Sequence, residues 1–141
     1  MMNAVQVRVW WRETAALDEA AVDALAETLS ESERVRADRF HFARDRRDYT
    51  AAHALVRSAL AEHVGRPAAA LAFASGPHGQ PLLLDETDAT ARWSFSLSHT
   101  HGCVACAIAC DRAVGIDVET VDRRIDITAI AGRYFSPAEN A

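Results

Sequence analysis

The stretch Cys103-Val-Ala-Cys-Ala-Ile-Ala-Cys110, followed across Asp111-Arg112 by Ala113-Val-Gly-Ile-Asp-Val-Glu119, reads as two β-strands joined in a hairpin. The first run is apolar along its whole length, the signature of a buried strand. In the second, Val114, Ile116 and Val118 alternate with polar or small residues, which predicts one buried and one exposed face. Working outward, Trp93 to Ser98, Pro81 to Leu84 and Leu71 to Ala74 are further short strands. Val5, Val7 and Val9, alternating with Gln6 and Arg8, predict an opening strand.

Helices occupy the interval between. Leu17, Ala21, Leu25 and Leu29 recur at helical spacing, and Ser30 with Glu33 forms a capping box for the helix after them. A longer helix is predicted from about Asp45 to Val64, with Tyr49, Ala52, Leu55, Val56, Ala59 and Leu60 on its inner face, stopped by Gly65 and Pro67. Asp85 to Thr90 reads as a polar loop. The fold class is therefore α+β: a small, largely antiparallel sheet packed with helices, in one unit over residues 1–141.

Half of the 141 residues are hydrophobic, enough for one core, yet no run approaches the roughly 18 apolar residues of a membrane span. No secretory signal is visible at the amino terminus, so the cytoplasm is the expected location. A net charge of −5 argues against nucleic acid as a partner. All 15 basic residues are arginine, and Arg34, Arg36, Arg39, Arg44, Arg46 and Arg47 crowd one segment with only Asp38 and Asp45 among them. Such a cluster is either a solvated helical face or, since the planar guanidinium suits a phosphate monoester, an anion site. Cys103, Cys106 and Cys110 have a zinc-like spacing, but they lie in an apolar strand without a Gly or Pro knuckle and read as reduced core thiols.

Asp117 and Glu119 are the strongest chemical signal. Two carboxylates on one face of an extended segment repel each other, and the pair is most at home around a hard divalent cation with oxygen ligands. The competing reading is a pair of exposed acids on an edge strand.

These residues stand in a specific order. Arg36-Ala-Asp-Arg-Phe40, His53-Ala-Leu-Val-Arg57, Gly79-Gln-Pro81, Phe95-Ser-Leu-Ser-His99, Val114-Gly-Ile-Asp-Val-Glu119 and Arg133-Tyr-Phe-Ser-Pro-Ala-Glu139 together resemble the motifs of the Sfp-type 4′-phosphopantetheinyl transferases. The resemblance covers most of the chain and corresponds to the amino-terminal half of such enzymes, whose Trp-x-x-Lys-Glu motif does not occur here. It implies transfer of 4′-phosphopantetheine from coenzyme A to a serine of an apo acyl or peptidyl carrier protein, with magnesium, releasing adenosine 3′,5′-bisphosphate. It also implies a partner in the form of a second half-chain or another copy. The alternatives are a non-catalytic coenzyme A or carrier-protein binding module and a metal-dependent phosphohydrolase. The latter leaves the Gly-Gln-Pro and Ser-His motifs unexplained.

By the resemblance, Asp117 and Glu119 are the magnesium ligands and, with His99, the catalytic residues; Arg36 meets the 3′-phosphate of coenzyme A, and His99 with Ser98 contacts phosphate oxygens. Gly79, Gln80 and Pro81 border the nucleotide; relatives commonly have lysine where Gln80 stands, which removes one charge contact. A Ser98–His99 nucleophile pair fails on geometry, because neighbours in a strand face opposite ways. Glu139 is assigned to a cap on Ser136. His41, His53, His63, His78 and His101 are assigned to the surface or to satisfied polar positions.

Overall fold

The computed structural model describes residues 6–79, 81–84, 93–121 and 126–139. Its elements are β1 (Val7–Glu13), α1 (Glu19–Ala26), α2 (Glu31–Asp38), α3 (Ala43–Val64), β2 (Ala72–Ser75), β3 (Pro81–Leu84), β4 (Trp93–Thr100), β5 (Cys103–Cys110) and α4 (Ile127–Tyr134). A short 3₁₀ turn over Ala68–Ala70 links α3 to β2. Strands β1, β5 and β4 form one antiparallel sheet in that order, and β2 and β3 form a second antiparallel pair. The α+β architecture with small antiparallel sheets agrees with the sequence expectation. Among the described residues no helix is long and apolar enough to cross a membrane.

Helix α3 forms where expected because its apolar residues recur every three to four positions. Ala51, Ala52, Leu55, Val56, Ala59 and Leu60 pack against Val104, Cys106 and Ile108 of β5. Gly65 ends the helix in the left-handed conformation, φ 66°, with its N–H bonded to the Ala61 carbonyl. The capping box at Ser30 is present: Ser30 Oγ accepts from the Glu33 N–H, and Glu33 accepts from the Ser30 N–H.

Strand β5 is buried on both faces. On its second face Ala105, Ala107 and Ala109 form a row of small residues, flanked in register by Trp11, Val9 and Val7 of β1 and by Ser98, Ser96 and Ser94 of β4. The β1 flank is open to solvent, with Trp11 66% exposed, while Trp10 turns inward to the core. Cys106 is fully buried, and burial pushes its thiol up to about 12. All three cysteines are free; Cys106 lies in the core as the sequence suggests, whereas Cys103 and Cys110 at the strand ends are half-buried.

Two expectations are corrected. The hairpin does not join Cys103–Cys110 to Ala113–Glu119; it joins β4 to β5 through His101 and Gly102, the latter at φ 81°. Residues 113–120 form no strand. The alternation survives without a ladder, since Val114, Ile116 and Val118 are half-buried while Asp117 and Glu119 are exposed. The reason is that the backbone N–H groups of Ile116 and Val118 bond to side chains: Ser96 Oγ (3.1 Å) and Ser98 Oγ (3.1 Å). Val5, Gln80 and the Asp85–Thr90 loop lie outside the described residues.

Candidate active site on the two faces of β4

Strand β4 divides the candidate residues. Trp93, Phe95 and Leu97 point toward α3 and pack on the core, so His99 takes the same side by alternation. There it lines a cavity of about 350 Å³ together with Arg36, Phe40, Asp45, Asp48, Tyr49 and His53. Arg36 and Phe40 also line a wider depression of about 850 Å³ that reaches Arg39.

The two acids that line the cavity both have partners outside it. Asp48 accepts a hydrogen bond from the Thr14 hydroxyl and lies 4.0 Å from Arg47, and Asp45 lies 3.6 Å from Arg44. Arg46 bridges Asp23 and Asp38. These contacts make half of the arginine cluster structural. Among the described residues Arg36 forms no ion pair; its guanidinium sits 5.8 Å from the centre of the Tyr49 ring.

Behind this wall lies an ionic hub. Arg57, 1% exposed, donates from Nε to Glu33 at 2.7 Å and from one terminal nitrogen to the carbonyls of Ala68 and Leu71. His53 Nδ1 lies 3.2 Å from the other oxygen of Glu33. Burial alone would raise the Glu33 carboxyl; the hydrogen bonds from His53, Arg57 and the Ser30 N–H, with the charge of Arg57, outweigh it and hold the group at about 2. The Tyr49 hydroxyl is raised by burial and by the Glu33 charge, so it remains a neutral donor. Tyr49, His53 and Arg57 are spaced by four along α3, the signal that places them on one helical face. His53 is therefore no isolated surface histidine, and Glu33 does more than cap α2.

The opposite face of β4 carries the acids. Ser98 donates to Asp117 Oδ1 at 3.0 Å while accepting from the Val118 N–H, and Thr100 donates to Glu119 Oε1 at 2.9 Å. Ser94 bonds the Arg112 carbonyl in the same row. A column of hydroxyls thus straps the acidic segment to the sheet. Among the described residues no three His, Cys, Asp or Glu side chains cluster as a metal site. The structure accordingly brings Arg36 to His99, and Ser98 to Asp117, on separate faces.

Gly79 (φ 77°) lies in the β2–β3 turn and Pro81 opens β3, paired with Ser75; neither lines the cavity. Glu139 accepts from both the N–H and the hydroxyl of Ser136, which lowers its carboxyl and realises the cap.

With this geometry in view, the comparisons are decisive. Residues 14–111 match the family described as "4′-phosphopantetheinyl transferase, N-terminal". The chain belongs to that family. Within the matched residues lie Arg36, Tyr49, His53 and His99; Asp117 and Glu119 follow just after them. The chain is 35% identical over 129 residues to the 4′-phosphopantetheinyl transferase HetI of Nostoc sp., covering 92% of this chain and 54% of that protein. It thus spans about half the length of this curated relative. Its fold is similar to the crystal structure of a holo-(acyl-carrier-protein) synthase from Bacillus anthracis str. Ames in complex with CoA (3′,5′-ADP). The TM-score is 0.59 and the identity 18%, covering 76% of this chain and 96% of that one.

Proposed function

We propose that this chain supplies the coenzyme A side of a transferase that moves 4′-phosphopantetheine onto a serine of an acyl or peptidyl carrier protein in the cytoplasm. The observation that carries the reading is the division at β4: an arginine–histidine cavity on one side and an oxygen-only acidic pair on the other, in a member of this family.

Arg36 and His99 bind the 3′-phosphate and neighbouring phosphate oxygens of coenzyme A, a task suited to charged hydrogen-bond donors. The turn at Gly79, Gln80 and Pro81 borders the nucleotide. Asp117 and Glu119, with the hydroxyls that orient them, fit magnesium by donor chemistry, since that ion takes one or two carboxylates and otherwise keeps water. When bound, the ion neutralises charge on the pyrophosphate. The serine oxygen of the carrier bonds to the β-phosphorus as the pyrophosphate P–O bond breaks, the hydroxyl proton passes to water, and adenosine 3′,5′-bisphosphate leaves with the bridging oxygen. Ser98 fixes the Asp117 carboxylate, while the carrier and the rest of the catalytic apparatus meet the chain through a second folded unit, either a second half-chain or another copy. The open Val7–Val9–Trp11 flank supports such a partner.

A second reading is a coenzyme A or carrier-binding module with no turnover, for which the carboxylates brought together among the described residues, Asp117 and Glu119, would serve only to hold a ligand. Mass-detected transfer from coenzyme A to an apo carrier protein separates the two. The chain supplemented with the carboxy-terminal half of a relative should transfer, and Asp117→Ala should abolish transfer while leaving the circular dichroism spectrum intact. Coenzyme A binding without transfer under both conditions would establish the module instead.

A further inference from the structure

We infer that β1 joins two copies of this chain, pairing antiparallel with β1 of a second copy so that Val9 stands opposite its own equivalent. Of the two partners that the proposed function leaves open, a second half-chain or another copy, β1 fits another copy, and it does so whether or not the cavity binds coenzyme A. β1 ends the sheet: its partner is β5, and among the described residues no strand pairs with its other side. Just beyond the strand, the Thr14 N–H bonds to the Gly102 carbonyl. Bonded residues alternate in an antiparallel ladder, so Arg12, Trp10 and Arg8 turn their N–H and C=O groups to β5, while Trp11, Val9 and Val7 turn theirs to the open edge. The same three residues carry exposed apolar side chains, at 66%, 57% and 49%. An edge that offers backbone groups and apolar side chains together, with no proline to interrupt it, is a template for another strand.

The strand Val7-Arg-Val-Trp-Trp-Arg-Glu13 is complementary to itself in one register. A two-fold axis at Val9 sets Val7 against Trp11 and Val9 against Val9 on one face, and Arg8 against Trp10 on the other, where a guanidinium meets an indole. The outward backbone groups of Val7, Val9 and Trp11 then meet one another. Moving the axis to Trp10 sets Arg8 against Arg12, and moving it to Arg8 sets that arginine against itself; like charges directly opposite are destabilising. Moving it to Trp11 sets Val9 against Glu13. Charge and apolar pattern therefore select the Val9 register. The contact is isologous, so it closes at two copies and consumes both β1 edges.

The test is sedimentation of the chain and of two variants at Val9, whose exposure lets it carry a charge without disturbing the core. The wild type should pass from monomer to dimer with rising concentration and go no further. Val9→Lys and Val9→Glu each set like charges face to face on the axis. Each should stay monomeric at about tenfold above the wild-type midpoint, with an unchanged circular dichroism spectrum. Mixed in equal amounts they should dimerise, because lysine then meets glutamate, a rescue specific to a register in which residue 9 faces residue 9. In the wild type, amide exchange at Val7, Val9 and Trp11 should slow about tenfold at about ten times the dissociation constant, while Arg8, Trp10 and Arg12, already bonded to β5, change little. A wild type that stays monomeric, or single variants that still dimerise, would overturn the proposal. So would a mixture that stays monomeric, or a mass that climbs past the dimer. No arm involves coenzyme A, so failure of this contact leaves the transferase reading untouched.

Discussion

Replacing Glu33 by glutamine tests the hub that holds α2 to α3. The carboxylate is held at about 2 against an ordinary value of 4.5, so its ionised form is favoured in the folded chain. At about 1.36 kcal/mol per pH unit this corresponds to about 3 kcal/mol of stability at neutral pH. The side chain is only 14% exposed, so solvent screening removes little of it. Because the folded value is depressed, the contribution is complete above about pH 4.5 and disappears as pH falls through about 2. Glu33→Gln preserves size and one acceptor but leaves the Arg57 guanidinium, at 1% exposure, without its counter-charge. Urea unfolding should show a deficit of about 3 kcal/mol at pH 7 with an unchanged m-value, shrinking to roughly 1 kcal/mol at pH 3. A deficit of the same size at both pH values would refute the argument, because it would mean that the loss comes from packing or capping and not from charge.

Ser98→Ala removes both the donor to Asp117 and the acceptor of the Val118 N–H. Amide exchange at Val118 should quicken by about fivefold to tenfold, as loss of a bond worth about 1 kcal/mol implies, while α3 amides keep their protection; unaltered exchange at Val118 would count against the hydroxyl strap. Trp11→Glu places a charge in the exposed flank formed with Val7 and Val9. Sedimentation should show concentration-dependent association of the wild type and a monomeric variant, and a wild type that stays monomeric throughout would show that this flank does not drive association.

The sequence made α3 and β5 legible because each carries a long, unambiguous pattern. Helical spacing from Ala52 to Leu60 ended by Gly65, and the continuous apolar run from Cys103 to Cys110, leave little choice. Residues 113–119 were legible only in part. Alternation reports which side chains are buried, and it reported this correctly for Val114, Ile116 and Val118. It carries no information on what the backbone bonds to, and here that partner is the hydroxyl row at Ser96 and Ser98. Helix α4 escaped notice although Asp126 caps it and Ile127, Ile130, Ala131 and Tyr134 follow at helical spacing. Arg36 and His99 were singled out through motifs, and the structure brings the two to one cavity. His53 was not, since its meaning depends on Glu33, twenty residues away and on another helix.

The division at β4 also constrains how one ligand could use both groups. Ser98 and His99 are neighbours in sequence, and the pleat sends them to opposite faces, so the arginine–histidine cavity and the acidic pair cannot share a pocket inside the sheet. Among the described residues β4 is, however, an outer strand of its sheet, paired with β5. On the proposed reading, a coenzyme A anchored by a phosphate at Arg36 and His99 would have to reach Asp117 around this strand edge and not through the core. The acidic segment lies where such a path would end: 113–120 runs in the same direction as β4, and successive hydroxyls of Ser96, Ser98 and Thr100 meet residues 116, 118 and 119 in turn. A backbone ladder at that edge would block the path. Strapping the segment through side-chain hydroxyls keeps the carboxylates in place without a backbone ladder, which gives a physical reason for the Ser-x-Ser-x-Thr alternation of β4 where a strand built for packing alone would carry valine or isoleucine.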